Sequence, residues 1–158
     1  MKILAIDPGT RCGWCVRHDA QRVDSGTWEL APRRFEGAGM RYLRFRVQFR
    51  ELLDQVKPDA VAFEQVRRHL GVDAAHIYGG IVAVLMEECE ARKIPYQGVH
   101  VQDVKKLATG KGNAKKDAML AAANERWALA LEAKDENEAD ARWIAEAAAL
   151  ELEARVVA

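Results

Sequence analysis

The sequence predicts an α/β protein built around a mixed β-sheet. The apolar run Ile3–Ile6 stops at Asp7 and a Pro-Gly turn, which is typical of a short strand buried on both faces. Segments 13–18 and 23–30 have the pattern of two further strands, which would complete an antiparallel meander. A helical period separates the meander from the apolar segment 60–64, so that segment can pair in parallel with the first strand.

The first predicted helix covers residues 40–56 and ends at Lys57-Pro58. Its apolar face comprises Phe45, Phe49, Leu52 and Val56. The later elements are a helix that Asp73 can cap and that runs to Arg92, a strand at 96–101, one or two helical turns at 102–108, a helix at 115–131, and a last helix whose start is marked by Asp135 and Glu138.

The helix that ends at Arg92 is apolar on two sides, and its Gly79-Gly80 pair permits another backbone to approach closely. One side is expected to meet the sheet. The other side can meet a second copy of the chain across a two-fold axis. It can equally lie beneath another helix of the same chain, and the sequence leaves both interpretations open.

The chain has 158 residues, which fits one domain over residues 1–158, and it carries 24 basic and 24 acidic side chains. Overall charge therefore gives no argument for nucleic-acid binding. The charge is unevenly placed, because residues 92–117 hold seven basic against two acidic residues, whereas residues 118–158 hold four basic against nine acidic residues. A basic segment in a neutral protein supports a local contact with an anion.

The three cysteines, an odd number, fit a reducing, intracellular setting, and the N-terminal segment predicts neither a secretion signal nor a membrane span. Cys12 and Cys15 form a CxxC motif at the entry to a predicted hairpin strand. A thiol-redox site would need a helix start there to lower the thiol pKa, and a zinc site would need further ligands. Neither use is favoured.

Two predicted strands end in an acid, Asp7 and Glu64, and parallel pairing would place both at one edge of the sheet. Neighbouring carboxylates repel each other unless a cation or a proton lies between them. With oxygen ligands alone the cation would be magnesium or manganese. Two alternatives remain: Asp7 caps its turn, or Glu64 forms a salt bridge with Arg67 or Arg68.

The last helix places a third acid, Asp140, on the stripe that faces the core. Its apolar partners at i+3, i+4, i+7 and i+8 are Trp143, Ile144, Ala147 and Ala148. A lone buried carboxylate is costly, so a compensating charge is expected. Asn137 and Glu136 precede Asp140 on its own side, at i−3 and i−4. The opposite face, predicted to be solvated, carries Glu138, Arg142 and Glu146.

Basic side chains cluster in two predicted loops. Arg67, Arg68 and His69 follow the strand that ends at Glu64 and suit contact with phosphate, although a solvated loop histidine is the favoured interpretation of His69. Lys111 lies in a glycine-containing loop, and Lys115-Lys116 opens the next helix. Lysines at a helix N-terminus are unfavourable because they oppose the helix dipole, unless the lysines and the helix N-terminus share a phosphate. The alternative is an ordinary solvated loop.

Four motifs in order make the chain resemble the RuvC family of Holliday-junction resolvases, in the RNase H-like superfamily. They are IDPGTRCGW at the start, FEQV around Glu64, VKKLATGKGNAKK in the basic loop and NEADA around Asp140. The resemblance covers nearly the full length. It implies an RNase H-like fold, in which a five-stranded mixed sheet is flanked by helices.

By this resemblance, Asp7, Glu64 and Asp140 correspond to catalytic acids that hold two divalent cations, Mg²⁺ or Mn²⁺. Asn137 falls at the fourth ligand position, where the family usually has an acid or a histidine, so weaker occupancy of one metal is expected. Glu136 is expected to compensate in part.

The resemblance also implies DNA contacts and a setting. Lys105 and Lys116 match lysines that contact DNA, and Arg67 replaces an aromatic residue that stacks on junction bases. The implied partner is branched DNA, a four-way junction cut by paired nicks from a homodimer. The implied location is the cytoplasm, at the nucleoid of a bacterial or phage-infected cell.

Three other functions share some of these sequence features. Sugar kinases and actin-like ATPases share an Asp-x-Gly-Thr hairpin, but those folds need two such domains. A broader flap or branched-DNA nuclease fits the departure at Arg67. A junction-binding protein that does not cut fits the departure at Asn137.

Overall fold

The N-terminal meander continues into a five-stranded mixed sheet. A computed structural model describes residues 1–69 and 71–157. The strands are β1 (Ile3–Asp7), β2 (Arg11–Arg17), β3 (Val23–Glu29), β4 (Ala60–Gln65) and β5 (Tyr96–His100). The helices are α1 (Met40–Val56), α2 (Val72–Arg92), α3 (Val101–Thr109), α4 (Lys116–Trp127) and α5 (Glu136–Val157), with a 3₁₀ turn at Ala133–Asp135.

The strand order is β3-β2-β1-β4-β5, which confirms the predicted five-stranded mixed sheet, its meander and the pairing of β4 with β1. β1 pairs antiparallel with β2 and parallel with β4, and β4 pairs parallel with β5. Parallel pairing is possible because α1 carries the chain back between the meander and β4. β1 is therefore the central strand, as its two-sided apolar sequence predicts.

Two apolar cores cover the two faces of the sheet. Leu4 and Ile6 face α1 and α2, whereas Ile3 and Ala5 face α3, α4 and α5. The cysteines of the CxxC motif follow the same alternation, since Cys12 belongs to the first core and Cys15 to the second. Opposite faces of a strand keep the two thiols apart, so the pair does not form a joint redox or metal site.

Several element boundaries differ from the predicted ones. Val101 begins α3 rather than ending β5, and α4 ends at Trp127 because Ala128 takes a left-handed conformation with φ of 51°. Asp73 lies inside the first turn of α2, and the N-cap is Gly71, so Asp73 is not the cap. The capping box before α5 joins Glu132 to Asp135 rather than Asp135 to Glu138.

The second side of α2 meets α1 of the same chain at Gly80. A Cβ at Gly80 would lie 2.3 Å from the ring of Tyr42, so the missing side chain makes room for that ring. Gly79 has open space around it, and Val72 at the start of α2 is 70% exposed. Within the described ranges, no helix combines the length and apolar content needed to cross a membrane.

The prediction of a solvated face on α5 is wrong. Arg142 is buried, and its Nε donates a 2.7 Å hydrogen bond to Ser25 Oγ on β3. Ser25 Oγ in turn donates to a carboxylate oxygen of Glu138. Further along the same face, Arg17 Nε on β2 donates to Glu146 at 3.1 Å. The face is covered because the meander strands extend beneath α5, and helical periodicity cannot reveal what packs on a polar stripe.

Candidate active site

Asp7 and Glu64 leave the sheet at the same edge. The β1–β4 register pairs Ile6 with Phe63, so the next residue on each strand is an acid. Pro8 follows Asp7 immediately and has no N–H to continue the ladder, which ends β1 there. The carboxyl ends of parallel strands are where α/β sheets place their ligands.

Asn137 and Asp140 reach this edge because α5 packs very closely on β2. Gly13 is the ladder partner of Asp7. A Cβ on Gly13 would lie 1.8 Å from the carbonyl oxygen of Asn137, so only glycine leaves room for the first turn of α5. This backbone contact sets Asn137, and Asp140 one turn later, next to Asp7. In the sequence, Gly13 begins a predicted strand and lies within the CxxC and IDPGTRCGW motifs, none of which signals this contact.

The three acids and Asn137 line one pocket of about 300 Å³. Two lysines, Lys105 from α3 and Lys116 from α4, also line it. The remaining wall is Pro8, Val101, Val104 and Met119. The structure thus brings the acids together from β1, β4 and α5, with basic groups beside them.

Burial raises the pKa of all three acids, and repulsion from a neighbouring carboxylate adds to the effect in each case. The pKa of Asp7 lies well above its usual range, because of burial first and then the charges of Glu64 and Asp140. Burial and then Asp140 raise the pKa of Glu64 to about 7, although Lys105 and Lys116 lower it. Burial raises the pKa of Asp140 to about 6, against the opposing charge of Lys116. Binding of a cation or of protons stabilises a site of this kind.

The donor set fits a hard divalent cation. Asp7, Glu64, Asp140 and Asn137 offer oxygen ligands only, the preference of magnesium and manganese. Across the described residues, no three His, Cys, Asp or Glu side chains are spaced to hold a metal ion as they stand. The acids would have to turn toward a common point to do so, and their ligand role stays a prediction.

Glu136 does not line the pocket, although its charge, in addition to burial, raises the pKa of Asp7 and Asp140. Its carboxylate accepts a 2.6 Å hydrogen bond from Lys116 Nζ. The contact with Lys116 offsets part of the Glu136 charge, and the role of Glu136 as a metal ligand stays a prediction. Through the same contact, Glu136 holds Lys116 at the rim of the pocket.

The basic loop between α3 and α4 is exposed beside the pocket. Gly110 ends α3 in a left-handed conformation with φ of 78°. Lys111 follows in the loop, and Lys115 is the N-cap residue of α4; both side chains are exposed. Lys105 is half-buried and turned into the pocket. The loop therefore presents cations along one side of the carboxylates.

The loop after β4 borders a second pocket of about 410 Å³, whose lining includes Arg67, Arg68 and His100. Arg67 Nη2 lies 3.4 Å from His100 Nε2, and both arginines are exposed. Val101 lines both this pocket and the acidic one, so the two are adjacent. Among the described residues, neither arginine forms a salt bridge with Glu64, so that alternative is wrong.

His69 is packed against α2 and is not the solvated loop histidine that the sequence favours. Its ring centroid lies 4.8 Å from that of Tyr78 on α2, and its side chain is half-buried. His69 also lines a pocket of about 280 Å³ together with Pro8 and Thr10 from the β1–β2 turn. The loop after β4 is thus packed onto α2 at its far end.

A mixed sheet with acids at the ends of two neighbouring parallel strands, and a third acid on the helix that covers them, defines the RNase H-like class. Comparison with known proteins narrows this class. The family described as crossover junction endodeoxyribonuclease RuvC matches residues 3–148.

Curated relatives with the same name agree with the family match. The RuvC of Brachyspira hyodysenteriae is 30% identical over 133 residues, which cover 78% of this chain and 79% of that protein. The RuvC of Ehrlichia chaffeensis is 26% identical over 121 residues, which cover 74% of this chain and 76% of that protein.

Solved structures share the fold. Thermus thermophilus RuvC in complex with a Holliday junction substrate has a TM-score of 0.80 at 23% identity, over 96% of this chain and 94% of that chain. The yeast mitochondrial Holliday junction resolvase Ydc2 has a TM-score of 0.62 at 14% identity, over 92% of this chain and 76% of that chain. The chain belongs to the RuvC family of crossover junction endodeoxyribonucleases, which depend on divalent metal ions.

Proposed function

We propose that this chain is a structure-selective endodeoxyribonuclease that resolves four-way DNA junctions by paired nicks. The observation that carries the proposal is the convergence of Asp7, Glu64 and Asp140 with two lysines in one pocket of about 300 Å³. Membership of the RuvC family supports the same activity, and the Thermus thermophilus relative was solved with a Holliday junction substrate.

The three acids are proposed to hold two divalent cations, Mg²⁺ or Mn²⁺, with Asn137 as a neutral fourth oxygen donor. When bound, such a pair of cations activates the attacking water and stabilises the leaving oxygen of the phosphodiester. The pKa values of Glu64 and Asp140, which burial raises first and neighbouring carboxylates raise further, support this role, because a bound cation would stabilise the ionised carboxylates. Asn137 adds no charge and is expected to leave one cation more weakly bound.

The basic side chains are proposed to hold the DNA backbone on either side of the acids. Lys105 lies in the pocket and Lys116 at its rim, where a phosphate would compete with Glu136 for the Lys116 ammonium group. The remaining proposed contacts are Lys111 and Lys115 in the loop before α4, and Arg67, Arg68 and His69 in the loop after β4. Phosphate contacts of this kind position DNA without reading its sequence.

Two symmetric nicks require two pockets, so the chain is proposed to act as a homodimer whose two-fold axis matches that of the junction. The open space at Gly79 and the exposed Val72 leave part of α2 available for a partner. We also propose that the enzyme acts in the cytoplasm, at the nucleoid of a bacterial or phage-infected cell.

The test compares cleavage of labelled four-way, flap and linear DNA with Mg²⁺ or Mn²⁺. The wild-type chain is expected to nick opposing strands of the junction. Asp7→Asn is expected to abolish cleavage and to leave junction affinity largely intact, since it removes charge and keeps the shape of the side chain.

Three other outcomes would contradict parts of the proposal. Loss of both cleavage and binding in Asp7→Asn would show that Asp7 is needed for the fold rather than for the chemistry. Equal cutting of flaps would make the chain a broader branched-DNA nuclease. Binding of junctions without cutting by the wild type, in either metal, would make it a cleavage-impaired junction-binding protein, the alternative that Asn137 favours.

A further inference from the structure

Tyr78 of α2 is hydrogen-bonded to the main chain at the end of β4. Its hydroxyl donates to the carbonyl oxygen of Glu64 at 2.8 Å and accepts from the N–H of Val66 at 3.3 Å. The position of Tyr78 among apolar helix residues gives no sign of this polar contact in the sequence.

The hydroxyl replaces a strand partner that β1 cannot supply. The parallel register of β1 and β4 ends at Ile6 and Phe63, and β1 stops one residue later at Asp7, before Pro8. Val66 lies one residue beyond β4, and its N–H meets the same hydroxyl as the carbonyl oxygen of Glu64. Both contacts are partly buried, where main-chain groups need hydrogen-bond partners, and one hydroxyl serves both groups.

The ring of Tyr78 holds the other end of the same loop. Its centroid lies 4.8 Å from that of His69, so Tyr78 contacts both ends of segment 66–69. Arg67 and Arg68, which this segment exposes, lie between the two contacts. One side chain thus links the main chain of Glu64 to the loop proposed to contact DNA.

We propose that Tyr78 is a positioning residue, which fixes the end of β4 so that the Glu64 carboxylate and the loop 66–69 keep their places relative to the scissile phosphate. The inference rests on the proposed function. Because a misplacement of about 1 Å at a reacting centre can cost about 10²-fold in rate, a partial loosening is expected to cost about tenfold.

The test uses Tyr78→Phe, which removes the hydroxyl and keeps the ring against His69. Tyr96→Phe is the matched control, since the Tyr96 hydroxyl donates a 2.8 Å hydrogen bond to Glu90, and Tyr96 begins β5 at the opposite end of the sheet from the pocket. The first readout is the exchange rate of the Val66 amide proton, followed by NMR in protein free of DNA and metal. The second is the single-turnover rate of junction cleavage at saturating DNA across a series of Mg²⁺ concentrations.

Tyr78→Phe is expected to speed exchange of the Val66 amide, to lower the maximal rate about tenfold and to raise the Mg²⁺ concentration for half-maximal rate, while Tyr96→Phe changes none of these. Unchanged Val66 exchange, or an unchanged rate and metal requirement in an active enzyme, would overturn the inference. If the wild type cuts no DNA, the proposed function fails, and the exchange rate alone decides whether the hydroxyl orders the loop.

Discussion

Replacing Glu64 by Gln should stabilise the protein at alkaline pH in the absence of divalent cations. Burial and the Asp140 charge raise the pKa of Glu64 from 4.5 to about 7 in the folded state. A carboxyl with a raised folded pKa contributes most to stability below its unfolded pKa, and this contribution is lost as pH rises through the folded pKa. Ionised Glu64 therefore costs stability above about pH 7.

The size of the effect follows from the difference between the folded and the unfolded pKa of Glu64. At about 1.4 kcal/mol per pKa unit, the difference between 4.5 and about 7 amounts to roughly 3 kcal/mol at pH 8. At pH 5 the folded carboxyl is protonated and the unfolded one is mostly ionised, so about 1 kcal/mol remains. For a chain of this length, roughly 3 kcal/mol corresponds to a rise in Tm of roughly 6–12 °C.

The assay is thermal unfolding followed by circular dichroism in EDTA at pH 8 and pH 5. Glu64→Gln is expected to unfold at a higher temperature than the wild type at pH 8, with a much smaller gain at pH 5. Glu125→Gln is the matched control, because Glu125 is exposed on α4. Added Mg²⁺ is expected to stabilise the wild type more than Glu64→Gln. An equal or lower Tm for Glu64→Gln at pH 8, or the same gain at both pH values, would refute the argument from buried, repelling carboxylates.

Two further substitutions test the fourth ligand position and the close approach of α5. Asn137→Asp should increase Mg²⁺-supported junction cleavage and lower the Tm in EDTA at pH 8, because it adds a fourth charge to the pocket; lower or unchanged activity would show that residue 137 is not a ligand. Gly13→Ala should destabilise the fold by about 1–3 kcal/mol, measured by urea unfolding, and reduce cleavage at temperatures where the protein stays folded, because its Cβ would lie 1.8 Å from the carbonyl oxygen of Asn137. A variant with unchanged stability and cleavage would mean that α5 shifts freely.

The sequence determined the elements that carry the acids. Asp7 and Glu64 each end an apolar run too short for a helix, and α1 between them permits the parallel pairing that brings the strand ends together. Asp140 shares a helical stripe with apolar residues, and Trp143 and Ile144 on that stripe are buried. These features were predictable because strand and helix periodicity are local properties of the chain.

Tertiary structure alone decided how the elements meet. The closeness of α5 to Gly13, the polar contact between Ser25 and Arg142, and the packing of His69 on Tyr78 all join distant parts of the chain. A periodic pattern shows which side chains share a face, but it does not show which element covers that face. For this reason the sequence predicts a solvated polar stripe on α5, although the meander covers it. The hydrogen bonds of Tyr78 likewise depend on the tertiary position of α2 beside the end of β4.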